Sequence, residues 1–294
     1  MRAAGISVVI AVLNEAAAVG ALLEALRAQT LLPDEVLFAD GGSTDETRAV
    51  IAHCSSALPF PVRVLHVPGK IAAGRNAAIE ASAYPFIAVI DADCMPSAVW
   101  LQALCEPLTA GARAVAGAYR ADAHTPMQRA IGTFTWVPLP DDPRRCLPSH
   151  RSVAFERALW REIGGYNEEI DSGEDTLFDL EVRKRCGFAL APQALVTWSP
   201  RKTLRSAIRQ QVFYGGGDGN ARSQASYHAA IAAFVAAECC LFVPGMRFAG
   251  ALAFTAAYLY FLRKHALLFR KLFPDALFVA LLTIVLPVAR LAGY

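Results

Sequence analysis

Pro85-Phe86-Ile87-Ala88-Val89-Ile90-Asp91-Ala92-Asp93 is an apolar run that stops abruptly at two carboxylates one residue apart. Its length and its Ile and Val content suit a buried strand better than a helix. In an open α/β sheet, ligands lie beyond the carboxyl ends of the strands. Asp91 and Asp93 would then stand at the mouth of a pocket. Side chains at i and i+2 leave a strand on one face. Two hard oxygen ligands there suit Mg2+ or Mn2+, and through such an ion a diphosphate. An Asp-x-Asp alone is also an ordinary way to end a strand and begin a turn, so the flanking chain has to decide.

Upstream, Ile6 to Val12 is β-branched and apolar throughout, a strand buried on both faces that Asn14-Glu15 ends. Ala16 to Gln29 carries Val19, Leu22, Leu23 and Leu26 at helical spacing. Glu35 to Ala39 is a second strand. It stops at Asp40-Gly41-Gly42-Ser43-Thr44-Asp45, a turn with caps for a helix through Ile51. Val62 to Val67 is a third strand. Pro68-Gly69-Lys70 then leads to a helix over Gly74 to Ser82, with Arg75 and Asn76 near its start. Strands alternating with helices over the first 120 residues predict an α/β fold, a parallel sheet covered by helices on both faces. No Gly-x-Gly-x-x-Gly follows the first strand and no Gly-x-x-x-x-Gly-Lys-Ser/Thr occurs, which argues against the usual dinucleotide fold and a P-loop.

The totals narrow the class further. The chain's 294 residues make one large domain or two small ones. A net charge of +2 gives no global field for nucleic acid, so no nucleic-acid partner is expected. The seven cysteines show neither Cys-x-x-Cys nor His/Cys ligand spacing; they read as reduced thiols in a cytosolic setting. Met1 to Leu13 has one Arg and a short apolar run, but Asn14-Glu15 cuts it and no small-residue cleavage site follows. It reads as a strand and not as a signal peptide.

Residues 120–200 are less regular. Pro138 to Pro148 reads as a loop, and Ser152 to Tyr166 contains a short helix ending at Gly164-Gly165. Asp171-Ser172-Gly173-Glu174-Asp175 opens a helix carrying Leu177, Leu180 and Val182. Capping and the helix dipole account for part of that acidic pair. After about residue 225 the composition shifts. Ala229 to Val243, Phe248 to Leu262 and Ala276 to Ala289 are nearly apolar, separated by Pro244-Gly245-Met246-Arg247 and by the basic Arg263-Lys264-His265 and Arg270-Lys271. Each is short beside the roughly 20 residues of a spanning helix. Short spans, an embedded hairpin and interfacial helices all fit, with a soluble helical cap as the alternative. If the first two cross and return, the positive-inside bias puts the preceding domain and the basic linker in the cytoplasm. The expected division is a catalytic domain over 1–224 and a hydrophobic, helical, membrane-associated region over 225–294.

Five pieces occur in order: Ser7 to Glu15, Asp40 to Asp45, Gly74-Arg75-Asn76, Asp91-Ala92-Asp93, and Gly164-Gly165-Tyr166 through Gly173-Glu174-Asp175. Over residues 5–220 this resembles the family 2 glycosyltransferases, whose GT-A fold is a Rossmann-like nucleotide-diphospho-sugar transferase domain. The resemblance implies roles residue by residue. Asp40 would read the base, accepting the imide N–H of uracil, which favours a UDP-sugar; guanine also offers N–H donors. Gly41 stands where the family has a second Asp. Asn14 and Glu15 would lie near the ribose, and Arg75 near the nucleotide. Asp93 would ligate Mg2+ or Mn2+ directly, with Asp91 holding ribose or metal-bound water. Such an ion neutralises charge on the departing nucleoside diphosphate. Asp175 matches the general base that takes the acceptor hydroxyl's proton, and its neighbour Glu174 is the rival. The implied reaction is a single displacement with inversion.

Two departures from the family bear on the acceptor. Processive members carry Gln-x-x-Arg-Trp; the nearest match here is Gln210-Gln211-Val212-Phe213-Tyr214, which counts against polymer synthesis. Trp198-Ser199-Pro200-Arg201 through Tyr214-Gly215-Gly216-Gly217 resembles non-processive members that transfer one sugar to a lipid-linked or cell-envelope glycan acceptor. Those often have an Arg where Gly216 stands. Arg201, Arg205 or Arg209 would have to supply the missing phosphate contact on the acceptor side of Tyr214, unless they form only a solvated face. The expected setting is the cell membrane, with the catalytic domain facing the cytoplasm. Two other readings remain open: a sugar nucleotidyltransferase, which would need a basic glycine-rich loop where Asn14-Glu15-Ala16-Ala17 stands, and a catalytically inactive membrane-bound binding subunit.

Overall fold

The computed structural model describes residues 5–220, 228–229, 232–233, 236, 255, 259 and 285–292. Four strands, β1 (Ile6–Val12), β2 (Glu35–Asp40), β3 (Val62–His66) and β4 (Phe86–Val89), run parallel in the order β3-β2-β1-β4. β1 and β2 are buried along nearly their whole length, which is why both read as unbroken apolar runs. Helix α1 (Val19–Arg27) buries Val19, Leu22, Leu23 and Leu26, the face that the spacing predicted. Helices α2 (Thr47–Ser55) and α3 (Ile71–Ala81) follow β2 and β3.

Helix α3 begins at Ile71, nearly one turn before the expected start at Gly74, so Arg75 and Asn76 sit in its second turn. Gly74 is a packing residue inside the helix. A Cβ there would lie 3.2 Å from the Cβ of Ala39, so the missing side chain lets α3 settle onto β2.

The sheet is mixed, which corrects the all-parallel expectation for the first 120 residues. β7 (Val153–Glu156) pairs antiparallel with β4, and β6 (Ala114–Ala121) antiparallel with β7. β6 therefore runs in the direction of β4, but a strand from later in the chain separates them. β5 (Cys94–Pro96) pairs antiparallel with β8 (Ala189–Trp198) and completes the order β3-β2-β1-β4-β7-β6-β8-β5. Only a tight turn joins β4 to β5, with the Cys94 N–H donating to the Asp91 carbonyl at 3.1 Å.

Helix α4 (Trp100–Thr109) follows β5, and α6 (Arg157–Ile163) ends at Gly164 and Gly165, both left-handed at φ +93° and +80°. Helix α7 (Glu174–Arg185) buries Phe178, Asp179 and Val182. Leu177 and Leu180 are only partly buried. One apolar cluster runs from Val9, Leu37 and Ala39 through Phe155 to Phe178 and Val182.

These elements belong to one compact unit, residues 5–120 with 137–199. A second unit comprises 121–136 and the described residues from 200 onward. It holds α5 (Pro126–Thr135), α8 (Leu204–Asn220) and a small core of Ala130, Ile131, Ala207 and Leu286. Within it the buried Asp218 accepts from Arg290 at 2.6 and 3.0 Å and pairs with His228 at 2.9 Å. Among the described residues no helix is long and apolar enough to cross a membrane. The expected boundary at 224/225 falls outside the described residues, as do most of the three apolar stretches.

Candidate active site

The parallel register sets the site. Val12 pairs with Asp40 and Asp40 with His66, so the ends of β1, β2 and β3 lie level. Val9 pairs with Val89, and carrying that register three residues onward brings the Asp91–Asp93 turn level with Val12.

The loops after β1 and β2 form one knot. Asn14 adopts a left-handed φ of +56°, which Asn tolerates better than most residues. Its N–H donates to Ser43 Oγ at 2.9 Å, and its Oδ1 accepts from the Thr44 N–H at 2.9 Å. The Glu15 N–H donates to Thr47 Oγ1 at 2.8 Å. Asp40 is fully buried at the centre. Its Oδ1 accepts from the Ser43 N–H at 2.9 Å, and its Oδ2 lies 3.4 Å from His66 Nδ1 and 3.6 Å from Arg48 Nε. Burial alone would raise its pKa. The Ser43 hydroxyl and N–H, His66 and Arg48 outweigh that and hold the carboxyl below its ordinary value. Asp40 is therefore an anion at neutral pH.

The second assembly is built on Arg75, whose side chain α3 buries. Nη1 donates to Glu174 Oε1 at 2.8 Å and Nη2 to Asp91 Oδ1 at 3.0 Å. The guanidinium carbon lies 5.7 Å from the centroid of the Tyr166 ring. Burial works against the charge, but Asp91 and Glu174 more than restore it and raise the pKa, so the cation is permanent. Burial pushes the Glu174 carboxyl up against the pull of Arg75, and the adjacent Asp175 adds to the rise. Arg75 thus ties the turn after β4 to the first turn of α7.

Asp93 is exposed. Oxygens of Asp91 and Asp93 and the sulfur of Cys94 lie within 4.8 Å of one another. Burial pushes the Cys94 thiol well up, helped by both carboxylates. The two carboxylates offer hard oxygens, a set that fits Mg2+ or Mn2+. Asp175, half-buried, opens α7 beside Glu174, and its Oδ1 accepts from the Thr176 N–H at 2.7 Å.

Residues 7–148 match the family model Glycosyl transferase family 2. This stretch is a glycosyl transferase family 2 domain. Over 235 residues it is 31% identical to the pre-mycofactocin glycosyltransferase of Mycobacterium tuberculosis, covering 72% of this chain and 46% of that protein. The chain thus spans about half the length of this curated relative. It is also 31% identical over 106 residues to the chondroitin synthase of Escherichia coli, covering 35% of this chain and 16% of that one. Among solved structures, the mannosyltransferase PcManGT from Pyrobaculum calidifontis, in complex with GDP-Man and Mn2+, aligns with a TM-score of 0.60 at 17% identity, covering 98% of this chain and 87% of that one. S. aureus TarS 1-349 in complex with UDP aligns with a TM-score of 0.52 at 17% identity, covering 97% and 90%. At such identities the likeness is one of fold, the mixed α/β GT-A type.

Arg75 contacts both Asp91 and Glu174, and Asp93 and Asp175 each lie close to one of these carboxylates in sequence. Asn14, Glu15 and Asp40 make the separate knot one strand away. Arg209 and Tyr214 lie on α8 in the second unit. Arg209 is exposed, and the Tyr214 hydroxyl accepts from Gln210 Nε2 at 3.1 Å.

Sequence reasoning missed Arg151. Its guanidinium lies over the rings of Tyr119 and Trp198, at 5.3 and 5.0 Å, and its Nε is 4.0 Å from Asp91 Oδ2. The two oxygens of Asp91 therefore face two different arginines. The only signal was the short apolar run Val153 to Phe155 ahead of the expected helix; it belongs to β7 and places Arg151 at a strand mouth.

Proposed function

We propose that this chain transfers a sugar from a nucleoside-diphosphate donor to a hydroxyl acceptor by a metal-dependent inverting displacement. The observation that carries the reading is the Arg75 bridge from Asp91 to Glu174, which joins the metal-side carboxylates to the helix start that bears Asp175. Asp93 and Asp91 would hold Mg2+ or Mn2+, and the ion would neutralise charge on the departing diphosphate. The complexes of PcManGT with GDP-Man and Mn2+ and of TarS with UDP support a nucleotide sugar and a divalent ion. The Asp40 carboxylate favours a UDP-sugar, with Asn14 and Glu15 on the ribose side.

The acceptor oxygen attacks the anomeric carbon as the bond to the diphosphate oxygen breaks. The electron pair leaves with the nucleoside diphosphate, and Asp175 takes the hydroxyl proton. Glu174 serves this role less well, because burial and the 2.8 Å contact with Arg75 commit it to position. We further propose that residues 1–224 form the catalytic domain and 225–294 a membrane-associated helical region, on the composition of the three apolar stretches. The acceptor would be a lipid-linked or cell-envelope glycan, with the domain facing the cytoplasm. Calorimetry with UDP and GDP, each with and without Mn2+, tests the donor reading. Tighter binding of UDP, dependent on Mn2+ and lost in Asp93→Ala, is expected. Binding unaffected by chelator and by that substitution would refute it.

A further inference from the structure

Outside the residues already given roles, three buried polar side chains form a chain through the apolar core. The Tyr166 hydroxyl lies 2.9 Å from His150 Nδ1, and His150 Nε2 lies 2.9 Å from Asp179 Oδ1. All three are at most 2% exposed. With a neutral ring and Asp179 ionised, one proton arrangement satisfies both contacts: Tyr166 donates to Nδ1, and the N–H on Nε2 donates to the carboxylate. Asp179 Oδ2 has no hydrogen-bond partner among the described residues, and burial pushes this carboxyl up to about 6. Such groups are costly to bury, and well-packed apolar residues in their place are often as stable or more so. Stability therefore does not explain them.

Their ends explain them better. Asp179 lies one turn after Asp175, four residues on along α7 and so on the same side of the helix. Tyr166 is held at every point. Its N–H donates to Asn76 Oδ1 at 2.8 Å, and its carbonyl accepts from Asn76 Nδ2 at 2.9 Å. Its ring packs 4.6 Å from Phe178 of α7, and Arg75 lies over its face. Asn76 directly follows Arg75. The Tyr166 ring is thus the seat of Arg75, and the His150 imidazole holds the Tyr166 hydroxyl while its other nitrogen holds Asp179 of α7, one turn after Asp175.

We infer that His150, through Tyr166 and Asp179, is a positioning residue for the transfer, seating Arg75 and the first turn of α7 in register with each other. This rests on the function proposed above. Neither His150 nor Asp179 hydrogen-bonds to Asp91 or Asp93, so loss of these contacts shifts Asp175 against Arg75 while Arg75 keeps its hydrogen bonds to Asp91 and Glu174. A small displacement of reacting groups slows turnover steeply.

Two readouts on the full chain test it. The imidazole nitrogen shifts of His150 give the tautomer, and hydrolysis of a UDP-sugar with Mn2+ gives turnover beside a calorimetric Kd for UDP. The wild type should show the Nε2–H tautomer. Tyr166→Phe keeps the ring and its packing; it should turn over about tenfold more slowly, the weight of one hydrogen bond, with the UDP Kd unchanged. Asp179→Asn should release the tautomer preference and slow turnover with the same unchanged Kd. An Nδ1–H tautomer in the wild type would overturn the inference, as would wild-type turnover in Tyr166→Phe and Asp179→Asn. An inactive wild type that binds no UDP would fail differently, taking down the functional reading and this inference with it.

Discussion

Asp40 and Glu174 are both buried carboxylates at the same edge of the domain, yet their acidities move in opposite directions. Asp40 is met three residues away by the Ser43 N–H and hydroxyl, with His66 and Arg48 behind them, and is held below its ordinary value. Glu174 depends chiefly on a buried cation brought from 99 residues away in the chain, and burial wins. The difference is one of source. Local backbone donors satisfy an anion wherever the loop forms, whereas a long-range ion pair satisfies it only if two helices and a turn arrive together. The first arrangement makes a stable loop, and the second makes a joint.

On stability the joint should give the largest effect. Arg75→Ala leaves Glu174 buried without its cation and Asp91 without its main restraint. Removing one partner of a buried pair costs about 3–5 kcal/mol, which urea unfolding of wild type and variant would measure. A loss no larger than that of a surface substitution would mean that the bridge is not a joint.

A smaller effect, with a pH signature, is expected at the knot. A carboxyl whose folded pKa is depressed stabilises the fold above its ordinary value of 3.8, and that stability is lost as pH falls through the lower folded value. Asp40→Asn should therefore be less stable than wild type at neutral pH, by roughly 1.5–3 kcal/mol for hydrogen bonds to a charged group. The gap should close as pH drops through 3.8 and below. For Glu174 the sign reverses. Its raised carboxyl burdens the folded state while ionised, and acidification from the raised value towards 4.5 relieves that burden. Unfolding free energies of Asp40→Asn and Glu174→Gln across this range should diverge from wild type in opposite senses. Parallel curves would remove the contrast. The smallest effect is Arg48→Ala, under ~1 kcal/mol, because that side chain is 56% exposed and 3.6 Å from Asp40.

The same distinction between local and long-range causes decides what was legible in the sequence. β1 was read at its exact ends and β2 to within one residue, because continuous β-branched runs and the Asp40-Gly41-Gly42-Ser43 turn are local signals. The buried face of α1 and the glycine end of α6 were legible for the same reason. The start of α3 was not, since Gly74 signals a break in sequence but serves packing against Ala39 in space. The apolar residues Leu177, Leu180 and Val182 mark α7 as a helix but do not show that Asp179 is buried on it, which happens because His150, 29 residues earlier, accommodates it. The mixed sheet was hidden in the same way, because β7 slips between β4 and β6 from far along the chain. With β7 unread, Arg151 and His150 at its mouth went unread too.

The proposed reaction turns on Asp175, and one comparison tests it most directly. Sugar transfer or donor hydrolysis by wild type and by Asp175→Asn is measured with Mn2+ and a UDP-sugar, alongside the Kd for UDP. Asn keeps the size and the hydrogen bond from Thr176 but cannot take a proton. Turnover should fall by about 10²–10⁴-fold while the UDP Kd stays the same. Wild-type turnover in Asp175→Asn, with activity lost instead in Glu174→Gln, would contradict the assignment and make Arg75 the partner of the base itself.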